Sequence, residues 1–196
     1  GMQIQVERID FRFPLNLLVR GVEVIQQPDT LLSLESLNVR VQAWPLIKGK
    51  VEVDEATLSR VAVNSANLME GMQIKGVLGR FFLQSHGVDL SNEIAIINQA
   101  ELSDTDVQLL MKDTTTTPKD TTASAPVNWK VDLHQLKLKN VSFSMQLPVD
   151  SMRMAAHIGE AAIGDAQADL KNQFYGLGKF LLSGTSASCD TRSAAP

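Results

Sequence analysis

Apolar residues fall on alternate positions along most of the chain, the pattern of strands with one buried side. Ile4, Val6, Ile9, Phe11 and Phe13 open it, with a one-residue phase slip between Val6 and Ile9. Leu15, Leu17, Val19 and then Val22 and Val24 follow, and Leu32, Leu34, Leu37, Val39 and Val41 repeat the theme. Pro14, Gly21, Pro28, Pro45 and Gly49 separate the runs, as turn and edge residues do. β-Branched residues are frequent, which suits a pleated surface. Residues 152–168 alternate as Met152, Met154, Ala156 and Ile158; with Gly159 and Gly164 weakening a helix, this segment reads as strand. Residues 69–82 contain Gly71, Gly76 and Gly79 and read as a short hairpin or bulged pair.

The alternation contains an internal repeat. Val51, Val53, Ala56, Leu58, Val61 and Val63 share their relative spacing with Val131, Leu133, Leu136, Leu138, Val141 and Phe143. Shorter versions occur at Val19, Val22 and Val24 and at Ile163, Ala166 and Ala168, and Leu102, Val107 and Leu109 look like a variant with two extra residues. Residues two apart lie on one face of a strand. A step of three shifts the phase, so a kink or bulge must intervene if the apolar set is to stay on one side. The expected architecture is therefore all-β, an elongated, strongly bent or coiled sheet of repeated strands with little helix. Four parts are expected: a β-repeat region over 1–112, a Thr-rich loop or linker over 113–126 with too few apolar residues to bury a core, a second β-repeat region over 127–184, and a flexible tail over 185–196.

Charge and chemistry narrow the functional classes. The net charge of -4 comes with Lys and Arg scattered singly, against the basic stripe of a nucleic-acid binder. The one cysteine, Cys189, forms no metal or redox pair and reads as a thiol in a frayed end. His86, His134 and His157 lack metal-ligand spacing from one another, and His134 occupies a polar slot of the repeat. No GxSxG elbow or phosphate loop is present. Ser103, Asp104, Thr105 and Asp106 read as a polar turn or bulge, short of a calcium loop. The expectation is a protein that is not an enzyme and uses no cofactor and no metal. No apolar run reaches the ~18 residues of a membrane helix, and both ends of the chain look cut. Core packing is the expected role of Phe81, Phe82, Trp44 and Trp129.

Several segments resemble one family. They are Leu18-Val19-Arg20-Gly21-Val22-Glu23-Val24, residues 31–41, Trp44-Pro45-Leu46-Ile47-Lys48-Gly49-Lys50-Val51-Glu52-Val53, Ile74-Lys75-Gly76-Val77-Leu78-Gly79-Arg80-Phe81, Val127-Asn128-Trp129-Lys130 and Phe174-Tyr175-Gly176-Leu177. Together they are similar to the AsmA-like superfamily, and more narrowly to the N-terminal region of the TamB-type translocation and assembly proteins of Bacteroidetes. The resemblance implies an AsmA-like β-groove in a periplasmic body, anchored to the inner membrane in the full-length protein. It further implies lipid acyl chains or an outer-membrane assembly partner as the ligand, and passive shielding or conduction of lipid between membranes, or help in outer-membrane protein assembly, as the function. The alternative expectation is a structural scaffold that binds a partner by strand addition. Groove or core positions are expected at Val51, Val53, Leu58, Val61, Val63, Val131, Leu133, Leu138, Val141 and Phe143.

Overall fold

The computed structural model describes residues 2–13, 15–26, 28–47, 52–65, 71–89, 92–111, 128–147 and 152–191. The order is β1 (Met2–Arg12), β2 (Asn16–Gln26), β3 (Asp29–Val41), α1 (Ala43–Ile47), β4 (Val53–Asn64), β5 (Met72–Asp89), β6 (Ile94–Met111), β7 (Lys130–Leu147), β8 (Met152–Asp169), β9 (Phe174–Gly176), β10 (Lys179–Ser183) and β11 (Ser186–Thr191). All eleven strands join one open sheet in the order β1-β2-β3-β4-β5-β6-β7-β8-β10, with β9 and β11 also on β8. Neighbours run antiparallel except β6 and β7, which run parallel. The all-β, elongated sheet expected from the alternation is what forms. The two β-repeat regions share it, because β6 of the first pairs with β7 of the second along nearly their whole length. The Thr-rich segment 113–126 lies outside the described residues.

Strands β1 to β8 slip phase at the same place. Pairing skips Glu7 and Gly21 between β1 and β2, Gly21 and Glu35 between β2 and β3, and Glu35 and Arg60 between β3 and β4. It then skips Arg60 and Gly79, Gly79 and Asp104, Asp104 and Asn140, and Asn140 and Gly159 in turn. Gly159 N–H then donates to Gly184 O at 3.1 Å. These residues form a kink line crossing the whole sheet. Gly21, Arg60, Asp104, Asn140 and Gly184 adopt positive φ, from 46° to 60°, while the residues between them do not. In each antiparallel crossing one partner is left-handed and the other is not; in the parallel crossing both Asp104 and Asn140 are. Side-chain contacts tie the line together: Arg60 Nε donates to Glu35 Oε2, and Asn140 Nδ2 donates to Asp104 Oδ1 at 2.7 Å. Gly79 is required by close approach, since a Cβ there would sit 2.6 Å from Asp104 Cβ and 2.9 Å from Asp104 O. A second line of skipped positions runs through Asp54, His134 and Asp165, with Gly178 N–H donating to Asp165 O at 3.1 Å. The two slips of the sequence repeat are these two lines.

The repeat is larger than the alternation suggested. Adding 80 to each residue number carries β4–β5–β6 onto β7–β8–β9/β10/β11 without a gap. Arg60 maps to Asn140, Gly79 to Gly159 and Asp104 to Gly184, all on the kink line. The turns correspond as well. Asp89 accepts from the Asn92 backbone and amide at 3.1 and 2.6 Å, and Asp169 accepts from Asn172 at 3.0 and 2.8 Å. Glu93 and Gln173 follow with φ of 56° and 53°. The molecule thus contains two tandem three-strand units joined through the parallel β6–β7 pair.

Four expectations are corrected. Residues 72–82, taken with 69–71 as a hairpin or bulged pair, belong to the single strand β5. Gly79 serves close interstrand approach there, and no chain reversal occurs at it or at Gly76. Ser186–Thr191, placed in the flexible tail, forms β11 against Met152 to His157, with Cys189 exposed on it. The Leu102 variant has no extra residues: Thr105 fills the missing apolar slot. Its hydroxyl donates to Ser103 O at 3.2 Å, which satisfies a polar group in a buried position. Pro45, read as a turn residue, lies in the first turn of the five-residue helix α1, where proline is tolerated.

No second layer of secondary structure covers the sheet among the described residues. The buried apolar side chains are Leu31, Ala95, Ala100 and Ala161, mostly small. The chain exposes 13510 Å², where a compact monomer of 21.4 kDa exposes roughly 9,000 Å².

Candidate functional site

Because residues directly opposite in a sheet share a face, the register assembles rows that run across the strands. One row is Ile9, Val19, Leu37, Leu58, Phe81, Leu102, Leu138, Ala161 and Leu182. A second is Phe11, Leu17, Val39, Ala56, Leu83, Ala100, Leu136, Ile163 and Phe180. Beyond the kink line runs Val6, Val22, Leu34, Val61, Leu78, Thr105, Val141 and Ile158. A regular strand would put Val19 and Val22 on opposite faces; the left-handed residue between them restores the phase. The rows then form one apolar face. Nine strands at about 4.8 Å spacing make it roughly 38 Å long.

The expected groove positions meet in these rows. Leu58 and Leu138 share one, Val61 and Val141 another, and Val63 and Phe143 a third with Val107 between them. Val53 pairs with Val41, and Val131 and Leu133 lie beyond the second kink line opposite Ala95 and Ile97. Val53, Leu58, Val61, Val131, Leu133, Leu138 and Val141 are half-buried. Val63 and Phe143 are exposed, Phe143 by 41%. Val51 lies outside the described residues. The spacing match could not find the residues that join the two sets across β5 and β6, such as Leu83 and Ala100, because a row is perpendicular to the chain. The repeated step of three was the usable signal.

The opposite face is mixed and polar. The row Arg8, Arg20, Ser36, Ser59, Arg80, Ser103, Lys139, Glu160 and Ser183 faces that way. Arg40 pairs with Glu55 at 3.1 Å and Arg80 with Glu101 at 3.9 Å, exposed pairs that contribute ~0–1 kcal/mol each. Arg80 also lies 5.5 Å from the Phe82 ring centre. A shallow depression of about 350 Å³ lies here between Glu101, Lys137, Lys139, Glu160, Leu181 and Ser183.

The nearest approach to a nucleophilic arrangement is also on this side. Asp106, Ser142, His157 and Ser186 follow one another across β6, β7, β8 and β11, with Ser142 Oγ 3.0 Å from His157 Nδ1. The serine lies between the acid and the histidine. A relay needs the histidine in the middle, oriented by the acid, and here Asp106 and His157 are two strand spacings apart, about 10 Å. The pair is a cross-strand polar contact. His134, 60% exposed at its side chain, stands 3.9 Å from Asp165 Oδ1 on the second kink line. No group of three or more His, Cys, Asp or Glu residues among the described residues is placed to hold a metal. No helix of the described residues is long and apolar enough to cross a membrane.

The carboxyl of Asp169 titrates below the usual aspartate value of 3.8, held down first by the backbone N–H of Asn172, then by its side-chain amide and by Lys130. Lys130 Nζ stands 3.5 Å away. This fixes the turn after β8 and has no chemistry to offer a substrate. No family model matches the chain, and no curated protein matches it significantly.

Proposed function

We propose that this chain is a periplasmic segment of an envelope biogenesis protein, anchored to the inner membrane in the full-length protein, whose apolar face shields or conducts lipid between membranes or assists outer-membrane protein assembly. The observation that supports the reading is the uncovered apolar face. Soluble monomers rarely leave contiguous apolar surface of more than a few hundred Å² bare. This face carries aliphatic rows across nine strands, and among the described residues nothing lies over it. The hydrocarbon of one leaflet is about 15 Å deep, so an acyl chain laid along a row covers under half its length, each methylene contributing about 0.8 kcal/mol. The mechanism is passive: the face substitutes for bilayer hydrocarbon and no bond is made or broken. The envelope location and the anchor rest on the sequence resemblance alone.

The test is lipid capture. Purified protein is incubated with phosphatidylethanolamine/phosphatidylglycerol vesicles carrying an acyl-labelled fluorescent phospholipid, separated from them, and run on a native gel. Wild type and Ser59→Asp, a change on the polar face, should carry label. Leu58→Asp and Leu138→Asp should lose it while keeping a strand-type circular dichroism spectrum. Absence of label from the wild type, with no lipid-induced rise in its Tm, would sink the proposal.

A further inference from the structure

We infer that the outer edge of β10–β11 is a docking edge for a parallel strand with the β7 pattern, the leading strand of another three-strand unit. The inference rests on an interface already present in the molecule. β6 is the third strand of the first unit, and its outer edge is covered by β7 in parallel register, with Leu102 opposite Leu138 and Thr105 opposite Val141. β10 and β11 are the same strand 80 residues later, and no strand covers them among the described residues.

The cost of leaving them uncovered is visible residue by residue. Ala100 is 6% exposed, whereas its counterpart Phe180 is 56% exposed; Ser103 and Thr105 are buried, whereas Ser183 and Thr185 are exposed. β6 is one unbroken strand held from both sides, and its counterpart breaks into β9, β10 and β11. The direction proposed for the partner is that of β7 on β6, the equivalent edge in the first unit. Antiparallel neighbours on the kink line pair a left-handed residue with one that is not, and the parallel neighbours Asp104 and Asn140 are both left-handed. Gly184 is left-handed. A parallel partner therefore needs a residue that tolerates positive φ at the position of Asn140, with apolar residues one step of three apart around it. This takes strand addition to a defined edge, register and partner, and it stands independently of lipid binding, which the native-gel assay reads separately.

The test uses the full chain with Cys189→Ser and a labelled peptide of residues 128–147 as the incoming strand. Copying the β6–β7 register places peptide Ser142 opposite Ser186, just as it pairs with Asp106 within the chain. Ser186→Cys protein should bind the peptide saturably by anisotropy and form a disulfide with a Ser142→Cys peptide. A peptide also carrying Asn140→Val, whose β-branched side chain resists positive φ, should bind about tenfold more weakly or worse, in keeping with a left-handed penalty of 1–2 kcal/mol. Absence of binding overturns the inference. So does equal binding of the Asn140→Val peptide, or cross-linking at Asp106→Cys in preference to Ser186→Cys, which would mean strand exchange at β6.

Discussion

Gly79 and Gly76 lie three residues apart in β5, and substituting alanine for each should move stability in opposite directions. A Cβ on Gly79 would fall 2.6 Å from Asp104 Cβ, 2.9 Å from Asp104 O and 3.1 Å from Ser103 O. Carbon atoms rest at about 3.5–4.0 Å, so β5 and β6 must part by up to about 1 Å in the middle of the sheet. Overpacking of this kind costs ~1–3 kcal/mol. A Cβ on Gly76 would meet Asp106 O at 3.6 Å and Val107 Cγ2 at 3.8 Å, ordinary contact, and Gly→Ala at an unstrained position contributes about 0.4–1 kcal/mol by restricting the unfolded chain. The second unit already carries this pair of choices, with Ala156 at the equivalent of Gly76 and Gly159 at the equivalent of Gly79. The expected gap between the variants is ~1.5–4 kcal/mol, or about 3–15 °C in Tm at 2–4 °C per kcal/mol for a chain of this size. Thermal unfolding followed at the strand band of the circular dichroism spectrum measures it. Adding Asp104→Gly to Gly79→Ala should recover only part of the loss, since the carbonyl contact remains. Equal shifts for the two single variants would refute the close-approach account of the kink line.

Arg60 holds φ at 46° with a side chain 75% exposed in its contact with Glu35. Arg60→Gly should fall within about 1 kcal/mol of wild type in urea unfolding, because relief of ~1–2 kcal/mol of left-handed strain is set against the loss of an exposed ion pair worth ~0–1 kcal/mol and the added freedom of the unfolded chain. Arg60→Val should instead destabilise by ~1–2 kcal/mol, since a β-branched residue resists that conformation. Asn140→Asp replaces a donor to Asp104 with a second carboxylate. It should cost ~1 kcal/mol at neutral pH, and the deficit should shrink in acid, where neutralising the carboxylates removes their mutual repulsion; a pH-independent deficit would argue against the contact. Asp169 should titrate below 3.8 by NMR, and Asn172→Ala should bring it back up. Its depressed value means that the turn's contribution is present above the unfolded pKa and is lost as pH falls through the folded one.

The strand character, the phase slips and the two six-position sets were legible in the sequence because side-chain alternation is local. The 80-residue duplication behind those sets was less visible. Its marks, such as Gly79 with Gly159 and the Asp-x-x-Asn turns, are isolated polar and glycine positions that hydrophobic periodicity ignores. Thr105 hid the third example of the pattern by placing a hydroxyl where an aliphatic residue was expected. The hairpin expected around Gly76 and Gly79 failed for a related reason: glycine marks close approach of a neighbouring backbone as readily as a turn, and only the register separates the two. The strand in the expected tail was illegible because Ser186–Thr191 has weak alternation and is held by its pairing with β8.

The parallel junction between the units separates two properties of the apolar face that would otherwise be tied together. Along the strands, its width is set by the kink lines and the apolar steps on either side of them, and the first of these lines recurs in the second unit at Asn140, Gly159 and Gly184. Across the strands, its length is set by how many units are joined, about 14 Å for each set of three strands. Because β6 meets β7 with Leu102 on Leu138 and both left-handed residues in line, the rows pass through the junction without a break. A chain with one unit deleted in frame should therefore keep the same cross-section and lose about 14 Å of length, measurable by small-angle X-ray scattering, while a one-residue insertion between Ser103 and Thr105 should disrupt both, since it throws the rows of β6 onto the wrong face. If the insertion left lipid capture and shape untouched, continuity of the rows would not be what organises this sheet.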